Sequence, residues 1–241
     1  MTTPSRRLLA LATALLALCS TLSAQHRLSV DAKSVQVTAG KKITSERSLY
    51  LHPDGRMVSH QQRPMELISL TNSLGEMRIY DPASNEVAAM NDKEMASSKE
   101  MVALFASGSY VDMGLPLYGY THSDTRNENG LLIKSYTPRN NSAVAKVELV
   151  FERHLPICMV YYGPKGNTIR KVYFSRYEHG RIPMPMRITE VEYTAKSDSI
   201  VRLTTYSNLL IGADASSEMF DFEIPADAKR TNVDPSKLLG R

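Results

Sequence analysis

The chain has no tryptophan, two cysteines and nearly balanced charges among its 241 residues. Cys158 is the only cysteine beyond residue 19, so an internal disulfide framework is excluded, and a small buried thiol is the simplest interpretation. Lysine and arginine number 29, against 25 aspartate and glutamate. Such a near balance lacks the concentrated basic face that nucleic-acid binding requires. The core must hold the fold together without covalent links, which a chain of this length can do.

Long hydrophobic runs are also missing after the N-terminus. There, a basic start is followed by the apolar run LLALATALLALC (8–19) and the small residues LSA (22–24). The run is shorter than the ~20 residues that span a membrane, and its flanks are typical of a secretory signal peptide. We therefore predict a signal peptide over residues 1–24.

Cleavage is expected between Ala24 and Gln25. The alternative is lipidation at Cys19, which is disfavoured because Leu18 stands where a lipoprotein signal has a small residue. Removal of the leader takes away two of the 29 cationic residues and no acid, so the expected net charge is 27 minus 25, or +2. Residues 25–241 are expected to form a single domain.

Sequence signatures of catalysis are absent. There is no G-x-S-x-G, no H-E-x-x-H and no phosphate-binding glycine loop, and no two histidines have ligand spacing on a shared helix. Tyr118, Tyr120, His122 and Asp124 lie within seven residues. An acid–base site there is the enzymatic alternative, and a polar loop end is the favoured interpretation. The sequence predicts no catalytic residue, no metal site and no cofactor.

What the sequence does contain is period-two alternation between turn residues, repeated at hairpin spacing. Short connections such as HPDG (52–55), NSLG (72–75) and GPKGN (163–167) favour antiparallel pairing of neighbouring strands. The 11–12 strands of this meander are too many for one flat sheet, so the fold class is mainly β, with a sheet that curls into a barrel or part-barrel. Strands are predicted at 28–37, 43–51, 56–62, 65–71, 76–80, 86–90, 131–137, 143–153, 156–162, 168–177, 186–195 and 199–207.

One segment, residues 91–130, interrupts the strands. Its first part, 91–108, has Met95, Val102 and Phe105 on one helical stripe, with Gly108 as a stop signal. An N-terminal cap is expected from Asn91 or Asp92. The second part, 109–130, is predicted to be a long irregular loop with an apolar start, MGLPLYGY. We interpret the insertion as a lid over one face of the sheet; the alternative is a helix that fills a sandwich.

The hairpin MELISLTNSLGEMRIYDP (65–82) carries an apolar strip with methionine. A loop over 72–75 would place Leu70 opposite Met77 and Ile68 opposite Ile79, with all four on one face. The unbranched, polarizable methionine side chain adapts to irregular partners. Such a strip is more often ordinary core than a ligand-binding wall.

The stretch 55–92 resembles the outer-membrane lipoprotein carrier family, the LolA-like proteins. The shared pattern is a strand near a proline, an apolar strand, a short turn and an aromatic strand that closes on Tyr-Asp-Pro. It is followed by a strand that begins Glu-Val. These positions are Pro64, Asn72, Gly75, Tyr80, Asp81, Pro82, Glu86 and Val87.

The tail SSEMFDFEIPADAKRTNVD (216–234) is similar to the family's Phe-x-Phe-x-x-Pro ending through Phe220, Phe222 and Pro225. Two departures stand out. Residues 28–51 read as strands where the family opens with a helix. The family's lid-fastening arginine maps onto no definite position, although Arg47 and Arg63 are candidates.

The resemblance implies a curved antiparallel half-barrel with a helical or loop lid over its concave face. It also implies a periplasmic, non-catalytic monomer. The space beneath the lid would shield acyl chains of lipoproteins or other lipids and deliver them through a membrane transporter or an acceptor lipoprotein. The expected cavity and lid residues are Ile68, Leu70, Met77, Ile79, Met101, Val102, Phe105, Leu115, Leu117 and Tyr118. The alternatives are a lipid-sensing or interaction module without cargo transfer, and an envelope hydrolase.

Overall fold

The computed structural model describes residues 27–93, 96–140, 143–194 and 198–231. The predicted signal peptide, Cys19 and Met95 lie outside these ranges. The described strands form one open sheet in the order β14-β6-β5-β4-β3-β2-β1-β13-β12-β11-β10-β9-β8-β7. All neighbours are antiparallel except the short β14, which runs parallel to β6. The mainly β prediction and the curved half-barrel architecture are confirmed.

The strands fall into two meanders. The first contains β1 (Leu28–Thr38), β2 (Lys41–Leu51), β3 (Met57–Arg63), β4 (Leu67–Thr71), β5 (Glu76–Asp81) and β6 (Glu86–Asn91). The second contains β7 (Tyr120–Glu128), β8 (Leu131–Pro138), β9 (Lys146–Glu152), β10 (Leu155–Tyr162), β11 (Thr168–His179), β12 (Pro183–Tyr193) and β13 (Ser199–Ile211), and the chain ends its described part in β14 (Lys229–Arg230). Pairing of β1 with β13, from Leu28 opposite Ile211 to Val37 opposite Val201, joins the two meanders into one sheet.

Two of these strands were not predicted from the sequence, β14 and β7. β7 occupies residues 120–128, nine of the 22 residues of the predicted irregular loop 109–130, so the loop prediction is wrong for its second half. The sequence signal that was missed is the dipeptide Asn129-Gly130. It forms the turn that connects β7 to β8, with φ angles of 50° and 80°. Asn-Gly is the strongest short-range indication of a two-residue hairpin turn.

The helix prediction is right in kind but too long. Helix α1 spans Met101–Ala106, and a single 3₁₀ turn, Ser97–Lys99, precedes it. Asn91 belongs to β6 and cannot be the cap; Glu100 stands at that position without a side-chain capping bond. Gly108 ends the segment as predicted, in a left-handed conformation with φ of 77°.

The hairpin register differs by one residue from the prediction. Thr71 pairs with Met77 and Leu70 with Arg78. The Asn72 side chain accepts hydrogen bonds from the amides of Leu74 and Glu76 (3.0 and 3.1 Å), so the loop takes in Glu76 as well. Because side chains alternate between faces, the extra loop residue moves the residues of β5 to the other face relative to β4.

Gly75 is required in this loop by a close backbone contact. Its φ is 91°, and a Cβ atom there would lie 2.3 Å from the Asp92 carbonyl oxygen. The Asp92 amide in turn donates to the Gly75 carbonyl (3.0 Å). A side chain at position 75 would therefore break the contact between the hairpin and the residues that follow β6.

The sheet has two unequal faces, which we call inner and outer. The inner face carries the main core, to which α1 adds Val102, Ala103, Leu104 and Phe105. The outer face of β3, β4 and β5 carries a second core made by Val58, Ile68, Leu70 and Tyr80, covered by the C-terminal residues Met219, Phe222, Ile224 and Ala228. The hairpin therefore buries both of its faces, one against each layer.

Two non-glycine residues interrupt the long strands in the left-handed region. Arg176 in β11 and Asn208 in β13 have φ of 56° and 54°. The register between β1 and β13 shifts beside Asn208, between Ser29 and Asp31. Such bulges bend a strand and increase its twist, which is what a half-barrel needs. Within the described ranges, no helix combines the length and apolar character needed to cross a bilayer.

Candidate functional site

The candidate site is the inner face of the sheet together with residues 96–118, which we call the lid. The lid contains α1 and two further 3₁₀ turns, Ser109–Val111 and Leu115–Tyr118. Opposite it, strands from both meanders supply buried aliphatic and aromatic side chains. Buried members of this core include Leu28, Leu49, Val147, Leu149, Met159 and Val172. The contact is therefore made almost entirely of hydrocarbon.

Phe105 is the centre of the lid contact. Its ring stacks on Tyr110 within the lid, with centroids 5.2 Å apart. It also meets two rings of β11, Phe174 at 6.3 Å and Tyr177 at 6.1 Å. Only 1% of Phe105 is exposed. In this closed arrangement the lid's own side chains occupy the inner face.

The lid is attached to the sheet by hydrogen bonds at its start and at Val111. At the start, the Ser97 hydroxyl donates to the Gly55 carbonyl (2.5 Å) and the Ser97 amide donates to the Asn72 carbonyl (3.0 Å). Further along, the Lys134 ammonium donates to the carbonyl of Val111 (3.2 Å). Hydrophobic packing rather than hydrogen bonding holds the middle of the lid.

Arg47 makes the strongest polar link between sheet and lid. Its two terminal nitrogens lie 3.3 and 3.2 Å from the two carboxylate oxygens of Glu100, the residue that precedes α1. The Glu100 carboxylate raises the pKa of Arg47 above its ordinary value, so the guanidinium stays charged. Burial, with a contribution from Glu100, raises the pKa of neighbouring Tyr206. Arg47 is one of the two arginines proposed from the sequence; Glu100 carried no signal that could have identified it.

The predicted site residues of the lid form a buried group and an exposed group. Val102, Phe105 and Leu115 are buried, and half-buried Met101 packs against the same core. Leu117 is 67% exposed and Tyr118 is 38% exposed, with the Lys99 ammonium 4.1 Å from the Tyr118 ring centre. These two residues lie on the outside of the lid rather than against the sheet.

The hairpin residues divide between the two layers. Met77 and Ile79 join Leu67 and the partly buried Met90 in a small inner-face cluster. Ile68 and Leu70 are on the outer face, beneath the C-terminal segment. The prediction that these four share one face is wrong, because the Asn72 loop shifts the register by one residue.

The described residues form surface pockets away from the lid, two of which are as follows. The first, of about 440 Å³, lies on the outer face beside Arg126, Lys146, Glu148 and Tyr162. The second, of about 200 Å³, is lined by residues such as Arg181 and Leu210. Beneath the lid, the inner face is occupied by the buried side chains of α1.

The residues proposed for an acid–base site have separate partners. His122 Nε2 lies 2.7 Å from the hydroxyl of Thr125, and its ring meets Tyr136 edge-on at 5.5 Å. Asp124 follows a register shift in β7 and is exposed. Within the part of the chain that the structure describes, no group of three histidine, cysteine, aspartate or glutamate side chains is arranged to hold a metal ion.

Comparisons with known proteins identify the fold. No protein-family model matches the sequence, and no curated protein matches it. A LolA superfamily protein from Nitrosomonas europaea is similar in structure, with a TM-score of 0.54, 10% identity and coverage of 81% of this chain and 90% of that one. An outer membrane lipoprotein-sorting protein domain from Vibrio parahaemolyticus gives a TM-score of 0.54 and 14% identity, with coverage of 82% and 90%. A DUF1329 family protein from Desulfovibrio piger gives 0.53 and 17%, with coverage of 85% and 93%. At these identities the likeness concerns architecture, and the chain has the LolA-like fold.

Proposed function

We propose that the protein is a periplasmic, non-catalytic carrier. It would receive acyl chains of lipoproteins, or of other lipids, on the inner face and help deliver lipoproteins to the outer membrane. The observation that carries this proposal is that a large hydrocarbon face is covered by a short lid instead of a second sheet. The names of two structures with this fold, a LolA superfamily protein and a lipoprotein-sorting domain, support the choice of cargo. The leader-like N-terminus supports the compartment.

The lid can separate from the sheet at a lower free energy than the strands can separate from one another. Helix α1 has six residues, and isolated helices shorter than about 12–15 residues are marginal in water. Its order therefore depends on packing against the inner face. Segments that depend on one contact surface open at a lower free energy than the sheet to which they pack. Opening would expose the inner face while the strand pairing stays intact.

A closing lid also accounts for release of the cargo. Each buried methylene contributes about 0.8 kcal/mol, so ten buried carbons would contribute about 8 kcal/mol. A binding free energy of this size, with nothing to offset it, would hold a ligand too tightly for transfer. Here the ligand must displace Phe105 and its neighbours, whose burial offsets about 1.5–3 kcal/mol per large side chain. Competition between lid and acyl chain would leave a net affinity from which a carrier can unload.

The experiment that tests the site is photo-crosslinking. Gently purified protein is analysed for bound lipid, then delipidated and labelled with a photoactivatable fatty acid. Labels are expected on the lid and on inner-face residues of β9, β10 and β11, located by mass spectrometry. Labelling confined to the outer face, or no saturable labelling, would contradict the proposal.

A locked lid provides the second test. Val111→Cys and Lys134→Cys, in a Cys158→Ser background, place thiols on the two sides of a lid–sheet contact. Joining them with a cleavable thiol cross-linker should abolish fatty-acid binding, and cleavage of the linker should restore it. Each single-cysteine variant is the matched control and should bind normally. Unchanged binding by the locked protein would show that the inner face is not the site.

A further inference from the structure

The outer face of the sheet has a covered part and an uncovered part. Over β2–β5 it is covered by residues 217–231, which we call the C-terminal cover. Phe220 is fully buried against the rings of Tyr50 and His52, at 5.4 and 5.5 Å. The cover ends by pairing with β6, where the Thr231 amide donates to Val87 (2.9 Å). This part of the outer face is therefore built to be covered by an extended segment.

The C-terminal cover alternates apolar and acidic residues, in the order Glu-Met-Phe-Asp-Phe-Glu-Ile from position 218. Its apolar residues pack on the sheet, and one of its four acids, Asp221, faces cations. Asp221 lies 3.8 Å from Arg27 and 3.7 Å from Arg56. Arg56 also donates to the Phe220 carbonyl (2.8 Å). The outer face thus accepts a segment that is both apolar and acidic.

The remainder of the outer face, on β1 and β9–β13, has the same character. One row of directly opposed residues runs across five strands, in the order Val37, Val201, Val191, Lys171 and Val160. All five side chains are half-buried or exposed, whereas their inner-face neighbours Val172 and Met159 are buried.

A second row runs beside the first, in the order Val35, Leu203, Thr189, Tyr173 and Cys158. Tyr173 is 41% exposed. We call these two rows the outer strip. No described segment of the chain packs on it, so an apolar surface six strands wide, including Val150 of β9, faces solvent.

Two cations within or beside the outer strip have no acidic partner among the residues that the structure describes. Lys171 stands between Val191 and Val160, and Arg187 lies on the same face, opposite Thr205 and Ser175. Neither side chain forms an ion pair with any described carboxylate. Glu148, the acid opposite Val160 on this face, already binds Lys146 and Arg126. The strip therefore combines exposed apolar surface with unneutralised positive charge.

We propose that the outer strip is a docking surface for an acidic, apolar segment of another protein. The C-terminal cover packs on the continuation of the same face, and its apolar and acidic residues indicate the kind of segment that this face binds. Strands about 4.8 Å apart make the strip roughly 24 Å wide and, over two to three residue pairs, about 14 Å long. This area is well below the ~800 Å² per partner of a standard interface between globular proteins. A single extended or helical segment fits it better than a second copy of the chain.

The first test uses a peptide of the required chemistry. The probe is the acetylated and amidated sequence SSEMFDFEIPADA (216–228), and the control peptide carries lysine in place of its four acids. Cys158, half-buried within the strip, reports occupancy through its rate of alkylation by iodoacetamide, followed by mass spectrometry of its tryptic peptide. Saturating probe is expected to slow alkylation of Cys158 at least about fivefold, and the control peptide to leave it unchanged.

Charge-reversal variants locate the site. Lys171→Glu and Arg187→Glu should each weaken peptide binding by about fivefold or more, as measured by fluorescence anisotropy. Lys165→Glu, in the exposed β10–β11 turn, is the matched control and should bind as the unaltered protein does. Peptide binding that leaves Cys158 alkylation unchanged would mean displacement of the C-terminal cover instead, and it would overturn the proposal.

Other occupants give distinct outcomes. A dimer in sedimentation experiments that Lys171→Glu dissociates would identify a second copy as the occupant. Protection of Cys158 by phosphatidylglycerol vesicles, but not by the peptide, would identify a lipid surface. Either result overturns the proposal, as does the absence of any saturable peptide binding.

Discussion

Arg47 and Glu100 connect the centre of the sheet to the start of the lid helix. Two nitrogen–oxygen contacts of 3.3 and 3.2 Å join a residue of β2 to a residue 53 positions later in the chain. Their side chains are 32% and 29% exposed, so water screens the pair only in part. Paired, two-pronged contacts of this kind are stronger and more directional than single hydrogen bonds. The pair joins the residue that precedes α1 to the centre of the sheet.

Removing this link should loosen the lid and leave the sheet unchanged. We expect Glu100→Gln to weaken lid closure by about 1–2 kcal/mol, the value of a charged hydrogen bond reduced for partial exposure. Hydrogen exchange of the amides in 101–106 should then accelerate roughly 5–30-fold, while amides of β9–β13 keep their rates. The control is Glu46→Gln, which removes the exposed pair with Lys33. Equal acceleration throughout the chain would contradict a local role.

Phe105 is expected to compete with the cargo. Truncation of a buried phenylalanine removes about 3–5 kcal/mol of packing, and here the loss falls on lid closure. Phe105→Ala should therefore bind a fluorescent fatty acid more tightly than the unaltered protein does, as measured by titration. Leu117→Ala, on the exposed outside of the lid, should bind as before. Weaker binding by Phe105→Ala would instead make this ring part of the ligand's own wall.

Glu148 should make stability depend on acid pH. Burial raises the pKa of its carboxyl, but hydrogen bonds from Lys146, Tyr162 and Arg126 outweigh burial and hold the pKa below 4.5. Burial, together with the hydrogen bond to the same carboxylate, raises the pKa of Tyr162 to about 12. Because the folded-state pKa of Glu148 is depressed, its stabilisation is complete above about 4.5 and is lost as pH falls through the lower folded value.

The measurement is the urea midpoint at neutral pH and at about pH 4. Glu148→Gln should lower the urea midpoint at neutral pH. On acidification, the midpoint of this variant should fall by less than that of the unaltered protein. Glu152→Gln, at an exposed position of the same strand, should show neither effect. An identical acid response in both variants would place the sensitivity elsewhere.

Substitutions in the turn between β9 and β10 should increase the stability of the protein. Arg153 and His154 connect Glu152 to Leu155 with φ of 47° and 75°, a conformation that side chains other than Asn and Gly adopt at a cost. Replacing them with Asn and Gly should raise the free energy of unfolding by about 1 kcal/mol. Asn129 and Gly130 form the equivalent turn before β8. Replacing them with Arg and His should lower the free energy of unfolding by a similar amount. Urea unfolding measures both, and no gain from the first exchange would contradict the turn assignment.

The period-two alternation was sufficient to predict eleven of the first thirteen strands to within about three residues at each end, because strand formation is a local property of alternating side chains and turn residues. It also indicated that residues 28–51 are strands, where the resemblance alone implied a helix. β7 was missed because its residues are mostly polar and exposed, which weakens the alternation. Only the Asn129-Gly130 dipeptide indicated it.

The lid was foreseen as an insertion, but its geometry was not. The helical stripe of Val102 and Phe105 correctly marked a buried face. Leu117 and Tyr118 have the same apolar character in the sequence, yet they lie outside the lid. Hydrophobicity identifies residues that can be buried, and only the packing of α1 on the sheet decides which of them are.

The sequence by itself determined the mainly β class, the short turns, the approximate position of α1 and the absence of any recognisable catalytic motif, since each follows from residues close together in the chain. The tertiary structure alone decided which face each strand presents. That choice depends on the Asn72 side chain, which lengthens one loop, and on the pairing of β1 with β13, which brings Leu28 beside Ile211. A one-residue change in either register would exchange the inner and outer faces, because successive side chains on a strand point in opposite directions.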